Sequence, residues 1–154
     1  MEEIERKFLV ADESWRDSVQ VETPMRQGYL GGNSRSSVRV RVSGNNAWLN
    51  IKSLTVGVSR EEFEYRIPVE DGQRMLDTLC DRPLIEKTRY QVPVGGHIWE
   101  VDVFDGANKG LVVAEVELGS PDEAFELPPW AGEEVSHDER YYNVSLATMP
   151  YRDW

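Results

Sequence analysis

The chain has 154 residues, with 17 lysines and arginines against 28 acids and a formal net charge of -11 at pH 7. That excess repels duplex nucleic acid and anionic membrane over the whole surface and excludes both as main partners, while 40% hydrophobic and 10% aromatic residues suit a single folded domain over 1–154. Cys80 has no cysteine to pair with, no apolar run approaches a bilayer span, and Met1-Glu2-Glu3 lacks the basic and apolar regions of a secretory signal, so cytoplasm is the expected compartment.

The chain opens on Glu3-Ile4-Glu5-Arg6-Lys7, then Phe8-Leu9-Val10. As a strand this places Glu3, Glu5 and Lys7 on one face and Ile4, Arg6 and Phe8 on the other. Two carboxylates spaced two apart can share divalent cations, and an ammonium beyond them can hold an anion that those cations also hold. That is the chemistry of a metal-bound phosphate chain.

Residues 12–16 read as a short helix with Asp12 as N-cap. A strand over 25–30, carrying Tyr29, runs into a Gly-rich turn at 31–34. Val38-Arg39-Val40-Arg41-Val42 puts two arginines on one face and three valines on the other. A Gly44-Asn45-Asn46 turn leads to the 48–52 strand, where Lys52 shares a face with Asn50. The strand over 60–67 sets Glu62, Glu64 and Arg66 opposite Phe63, Tyr65 and Ile67. Residues 69–80 break the period of two and fit a helix, with Cys80 on its buried side.

Three more strands follow, over 84–92 (Lys87 and Arg89 on one face), 98–104 (Glu100 and Asp102) and 111–118 (Glu115 and Glu117). A short helix is expected at 120–123, a loop at 128–132 and a C-terminal helix over 138–149, which either plugs one end of the barrel or supplies a homodimer contact. His97 and His137 read as surface residues and the tryptophans as packing.

Eight strands joined mostly by short turns favour an antiparallel sheet closed into a barrel, an α+β, mainly β fold with helices packed outside. On one face of these strands stand the acids Glu3, Glu5, Glu62, Glu64, Glu100, Asp102, Glu115 and Glu117. With them stand the bases Lys7, Arg39, Arg41, Lys52, Arg66, Lys87 and Arg89. A sandwich with these charges facing solvent satisfies the same alternation. Against it, the charges come as like-signed pairs roughly 7 Å apart, which repel unless something of opposite sign lies between them. Turned inward, they line a wet tunnel, since burying each ion dry costs about several kcal/mol. The count leaves this lumen one negative charge in excess, so bound divalent metal helps to admit a polyanion.

The Glu3-x-Glu5-x-Lys7 motif, the Arg39/Arg41 strand, Lys52 after Asn50-Ile51, and the Glu62/Glu64, Lys87/Arg89, Glu100/Asp102 and Glu115/Glu117 pairs resemble the CYTH superfamily, the triphosphate tunnel metalloenzymes. Residues 26–30 and the tail Asp138-Glu139-Arg140-Tyr141-Tyr142-Asn143 extend the likeness over essentially the whole chain. The resemblance implies an eight-stranded antiparallel barrel around a charged tunnel, working with Mg²⁺ or Mn²⁺. It implies Glu3, Glu5 and Glu117 as leading metal ligands, with Glu62, Glu64, Asp102 and Glu115 holding metal, bound water or the basic residues. Lys7, Arg39, Arg41, Lys52, Lys87 and Arg89 grip phosphate oxygens, and Arg66 either pairs with Glu64 or lies at the rim.

The activity expected is hydrolysis of a triphosphate-containing small molecule, foremost inorganic tripolyphosphate, to diphosphate and phosphate. Glu3, Glu5, Lys7, Glu62, Glu64 and Tyr29 form the catalytic set, with Glu62 or Glu64 as proton acceptor and Tyr29 as a hydrogen-bond donor or a packing residue. The alternatives are a nucleoside or thiamine triphosphatase, a class IV-type adenylate cyclase, or a non-catalytic polyphosphate-binding module. Retention of so many carboxylates favours catalysis over the module.

Overall fold

The computed structural model describes residues 2–154. Nine strands form one antiparallel sheet: β1 (Glu2–Val10), β2 (Val21–Gly32), β3 (Ser36–Ser43), β4 (Asn46–Ser53), β5 (Ser59–Ile67), β6 (Ile85–Val94), β7 (His97–Asp105), β8 (Val112–Glu117) and β9 (Ala131–Glu134). Eight of them close on themselves in the order β5-β4-β3-β2-β6-β7-β8-β1, with β1 returning to β5. The barrel expected from the strand pattern is therefore present.

Its turns follow from glycine chemistry. Gly44 and Gly95 stand at the first loop position of the β3–β4 and β6–β7 hairpins with φ of +58° and +60°. A type II′ hairpin needs that backbone, and side-chain-bearing residues resist it.

The closing seam is short. Among the described residues β1 pairs with β5 through Glu2↔Glu61, Glu3↔Arg60 and Ile4↔Ser59, after which β9 takes over the same edge at Phe8 and Val10. This ninth strand replaces part of the loop expected at 128–132. Its Ala-Gly-Glu-Glu sequence has little strand propensity, and it forms because β1 would otherwise leave open backbone groups where β5 departs. Outside the sheet, Arg6 pairs with Glu134 of β9 at 2.5 Å.

The apolar outer face of the sheet is covered in two places. Trp15, Trp99 and Trp130 pack with Phe8, Val92, Val101 and Val116 in one cluster, beneath a 3₁₀ turn (Ser14–Ser18) and the 119–130 segment. Helix α1 (Val69–Thr78) lays Leu76 on Val40, Val42 and Ala47. Gly72 permits that approach, since a Cβ there would stand 2.7 Å from the Ala47 Cβ. Cys80 lies beyond the end of this helix and is half-buried against Gly28, not on a buried helical face. The outer face of β5 is uncovered, leaving Phe63 and Tyr65 at 44% and 55% exposure.

A third cluster lies inside the barrel. Ile85, Phe104 and Val113 share strand faces with Lys87, Asp102 and Glu115, and they enclose Leu146 and Ala147 of α2 (Asn143–Thr148). The C-terminal helix is thus a plug, and the lumen is a charged chamber with an apolar floor rather than an open tunnel.

This helix is shorter than the 138–149 expected. A 3₁₀ turn (Glu139–Tyr141) precedes it, and Tyr142 stays extended (φ -73°, ψ 139°). There its hydroxyl donates to the Ser136 carbonyl at 2.6 Å and accepts from Gly57 N at 3.0 Å, bonds that outweigh continuing the helix. No helix forms at 120–123 either. The Glu123 carboxylate turns back to accept from Gly119 N and meet His97, and Pro128-Pro129 disfavour helical backbone just beyond. Asp12 caps no helix, its carboxylate instead closing a local turn with Ser14 N and Oγ. Among the described residues no helix is long and apolar enough to cross a membrane.

Candidate active site

Inward-facing side chains from all eight barrel strands meet in one cavity of about 290 Å³. Its walls carry the carboxylates of Glu3, Glu5, Glu62, Glu64, Glu100, Glu115 and Glu117, and the cations of Lys7, Arg39, Arg41, Lys52, Arg60 and Arg89. Tyr29 lines it from β2. Of the sites expected from sequence, only Lys87 and Asp102 lie below its wall, 3% and 1% exposed. Arg66 falls at the exposed rim, hydrogen-bonded to Asn46, and not in the lumen. Its place in the count is taken by Arg60.

The like-signed pairs do not stand apart waiting for ligands, because neighbouring strands interleave them. Lys52 Nζ sits 3.0 Å from both Glu3 oxygens and 3.4 Å from Glu62, and Arg41 lies 3.7 Å from Glu64. Arg60 lies 3.7 Å from Glu5, and Lys7 3.3 Å from Glu115. At the base, Asp102 accepts two 2.8 Å bonds from Arg89 and one of 2.8 Å from Lys87.

Arg39 is the exception. It is 8% exposed, pairs with no carboxylate among the described residues, stands opposite Tyr29 in the β2–β3 register, and leaves its Nε unsatisfied. Arg41 Nε beside it is unsatisfied too. A buried cation without a counter-ion is costly, and the pair leaves a defined place for an anion. Burial, then the charges of Arg39 and Arg89, push Arg41 down to about 10.

The acids show the complementary strain. Burial, then Glu115 and Glu3, push Glu5 up to about 8. Glu115 is held well below its usual range, since Lys7, Arg89 and Lys87 outweigh its burial, and it hydrogen-bonds Glu5. Glu3 and Glu62 share a similar contact, and burial raises Glu3. Two carboxyls this close tolerate each other only through a shared proton or a cation.

These hard oxygen donors therefore fit a divalent ion of the Mg²⁺ or Mn²⁺ kind. Among the described residues no three acids or imidazoles already converge on one metal position. The fit is to an ion held by one or two carboxylates, its shell completed by water and substrate oxygens.

A raised Glu5 also sets a pH dependence. The folded, metal-free protein holds this proton between the unfolded value near 4.5 and about 8, so the contribution of Glu5 to stability declines as pH rises across that window. In thermal unfolding at pH 5–8, Tm of the metal-free protein is expected to fall with pH more steeply than Tm of Glu5→Gln. Parallel profiles would remove Glu5 as the cause.

Arg60 was legible in the sequence, since it continues the Glu62/Glu64 alternation by two residues. Asn50 shares Lys52's face and donates to Glu64 at 2.8 Å. Ser37 likewise shares Arg39's face. Asn143, which also lines the cavity, had no such signal because it arrives on α2 and not on a strand.

A family model for the CYTH domain matches residues 1–148. An inorganic triphosphatase of Acetivibrio thermocellus is 43% identical over 152 residues, spanning 99% of this chain and 97% of that protein. One from Nitrosomonas europaea is 42% identical over 151 residues, spanning 96% and 97%. The crystal structure of the inorganic triphosphatase NE1496 superposes with a TM-score of 0.69 at 40% identity, covering 94% of this chain and 93% of that one. Fold, motif order and full-length likeness agree, and the chain belongs to the CYTH domain family.

Proposed function

We propose that this chain hydrolyses a linear triphosphate, foremost inorganic tripolyphosphate, to diphosphate and orthophosphate with Mg²⁺ or Mn²⁺ in the cytoplasm. The observation that carries this reading is Arg39, a buried cation lacking a carboxylate partner beside Arg41 in a chamber otherwise rich in carboxylates. An extended polyanion satisfies both arginines, and the acids opposite take its cations. The lining is polar apart from Val144 and the Tyr29 ring, too little apolar wall to sandwich a base or thiazole ring. The relatives named above are inorganic triphosphatases.

In this reading Arg39, Arg41, Lys52 and Lys7 bind and orient the phosphate chain. Arg89, bidentate on Asp102, is a fixed wall with little freedom to follow substrate. Lys87 is buried against Asp102 and supports that wall from below. Glu3, Glu5 and Glu117 are the residues that would hold metal, Glu115 and Asp102 set the charge around them, and a bound ion would neutralise phosphate and lower the pKa of water. Glu62 or Glu64 accepts the proton of the attacking water as its oxygen bonds to phosphorus and the anhydride bond breaks toward diphosphate. The cationic walls stabilise the leaving charge. Tyr29, the cross-strand neighbour of Arg39, packs beside that guanidinium on the cavity wall.

A phosphate-release assay with tripolyphosphate, ATP and thiamine triphosphate, each with and without Mg²⁺, tests the reading. Metal-dependent turnover of tripolyphosphate is expected to dominate. Glu5→Gln and Lys52→Ala are each expected to lose about 10²-fold or more while retaining the native circular dichroism spectrum. Unaltered rates in both variants would sink the site, and tight binding without turnover would turn the protein into a polyphosphate-binding module.

A further inference from the structure

Asn143 is the first residue of α2, and its side chain reaches the charged cavity. Its Oδ1 accepts two hydrogen bonds of 3.2 Å, from Gln27 Nε2 and Lys87 Nζ. An ammonium can only donate, so the Asn143 atom that meets Lys87 is the oxygen, and the orientation of the amide follows. Gln27 is completely buried, and it turns its nitrogen to Asn143 at the cost of leaving its own Oε1 unsatisfied. Such a bond at such a cost holds the amide deliberately in one orientation.

With its oxygen clamped from two sides, the Asn143 Nδ2 group has no protein partner among the described residues. It is also not sealed from solvent, and Asn143 lines the charged chamber. Like Arg39, and unlike the other cations of the cavity, it is tied to no carboxylate among the described residues. Lys7, Lys52, Arg41, Arg60 and Arg89 each surrender part of a carboxylate contact to bind an anion, whereas this neutral donor has nothing to give up.

We infer that Asn143 is a substrate-binding residue whose Nδ2 group donates to an oxygen of the bound triphosphate, with Gln27 as the positioning residue that holds it so. The inference rests on the triphosphate reading above. It gives the plug a part in the site, because the helix that seals the barrel floor also carries a ligand for the substrate.

The test measures tripolyphosphate affinity by calorimetry, with and without Mg²⁺, and steady-state KM and kcat, for wild type and three variants. Asn143→Ala is expected to weaken affinity about 10- to 100-fold, as for a lost hydrogen bond to a charged acceptor, chiefly in KM. Asn143→Asp keeps the shape and the oxygen that Gln27 and Lys87 hold, and exchanges only the donor for an anion. It is therefore expected to bind more weakly than Asn143→Ala. Gln27→Leu, which frees the amide to turn, is expected to raise KM by a smaller factor.

Wild-type affinity in Asn143→Asp would show a mere tether and overturn the inference, whatever Asn143→Ala does to folding. Wild-type protein that binds tripolyphosphate without metal-dependent turnover would overturn the hydrolytic reading alone. Wild-type protein that does not bind it at all would overturn both.

Discussion

Arg39→Met is expected to cripple turnover and, at the same time, make the ligand-free protein harder to unfold. Phosphate release from tripolyphosphate should fall about 10²- to 10³-fold in kcat/KM, the usual loss when a pre-aimed donor is removed from a site of developing charge. The stability gain has a separate origin. Arg39 is 8% exposed, its Nε has no acceptor, and no carboxylate among the described residues pairs with it. Met fills similar space without a charge to desolvate, and urea denaturation should show a gain of about 1–2 kcal/mol. Every other cation of the chamber should behave oppositely on the stability axis, because each leaves a carboxylate behind. A midpoint that drops in Arg39→Met would mean that the guanidinium has a native counter-ion after all.

The second large effect concerns Asp102. Its carboxylate, 1% exposed, receives three hydrogen bonds from Arg89 and Lys87 and, among the described residues, is the one neutralising group within ion-pair distance of Lys87. Asp102→Asn keeps the shape and leaves two buried cations facing an amide, so a loss of about 3–5 kcal/mol is expected in urea denaturation. Lys87→Met added to Asp102→Asn should recover part of that loss, since it removes one stranded charge. Burial raises the Asp102 pKa, yet Arg89 and Lys87 outweigh it and hold the group below its usual range. The stability it lends is therefore complete above the unfolded value near 3.8 and disappears as pH falls through the lower folded one. The difference between wild type and Asp102→Asn should narrow in that acid window. A variant as stable as wild type at pH 7 would contradict the assignment.

Strand alternation made the barrel legible, because Val38-Arg39-Val40-Arg41-Val42 and its counterparts each name an apolar and a charged face, and the charges repeat as pairs. The same rule placed Glu3, Glu5, Arg39, Lys52, Glu64 and Glu117 around one cavity. It failed where a contact distant in sequence decides the local backbone. β9 exists because an edge of β1 needs covering, and Tyr142 breaks the C-terminal helix to reach Ser136 and Gly57. It also misjudged how the pairs are satisfied. Like charges two apart on one strand find opposite charges on adjoining strands, as Lys52 does between Glu3 and Glu62, before any ligand arrives. Of the two placements open for Arg66 the structure has the rim, a choice alternation could not make because it assigns a face and says nothing of depth along the barrel axis.

The short join between β1 and β5 carries a further consequence. Lys52 on β4 bridges Glu3 on β1 and Glu62 on β5 across it, so in the proposed reading the ammonium that fastens the weakest stave of the cask is also one that an incoming polyphosphate would court. Guest and hoop compete for the same ammonium. An ion that took over Glu3 and Glu62 while phosphate took Lys52 would replace one clasp with a larger one, and the wall would be bound together by its contents.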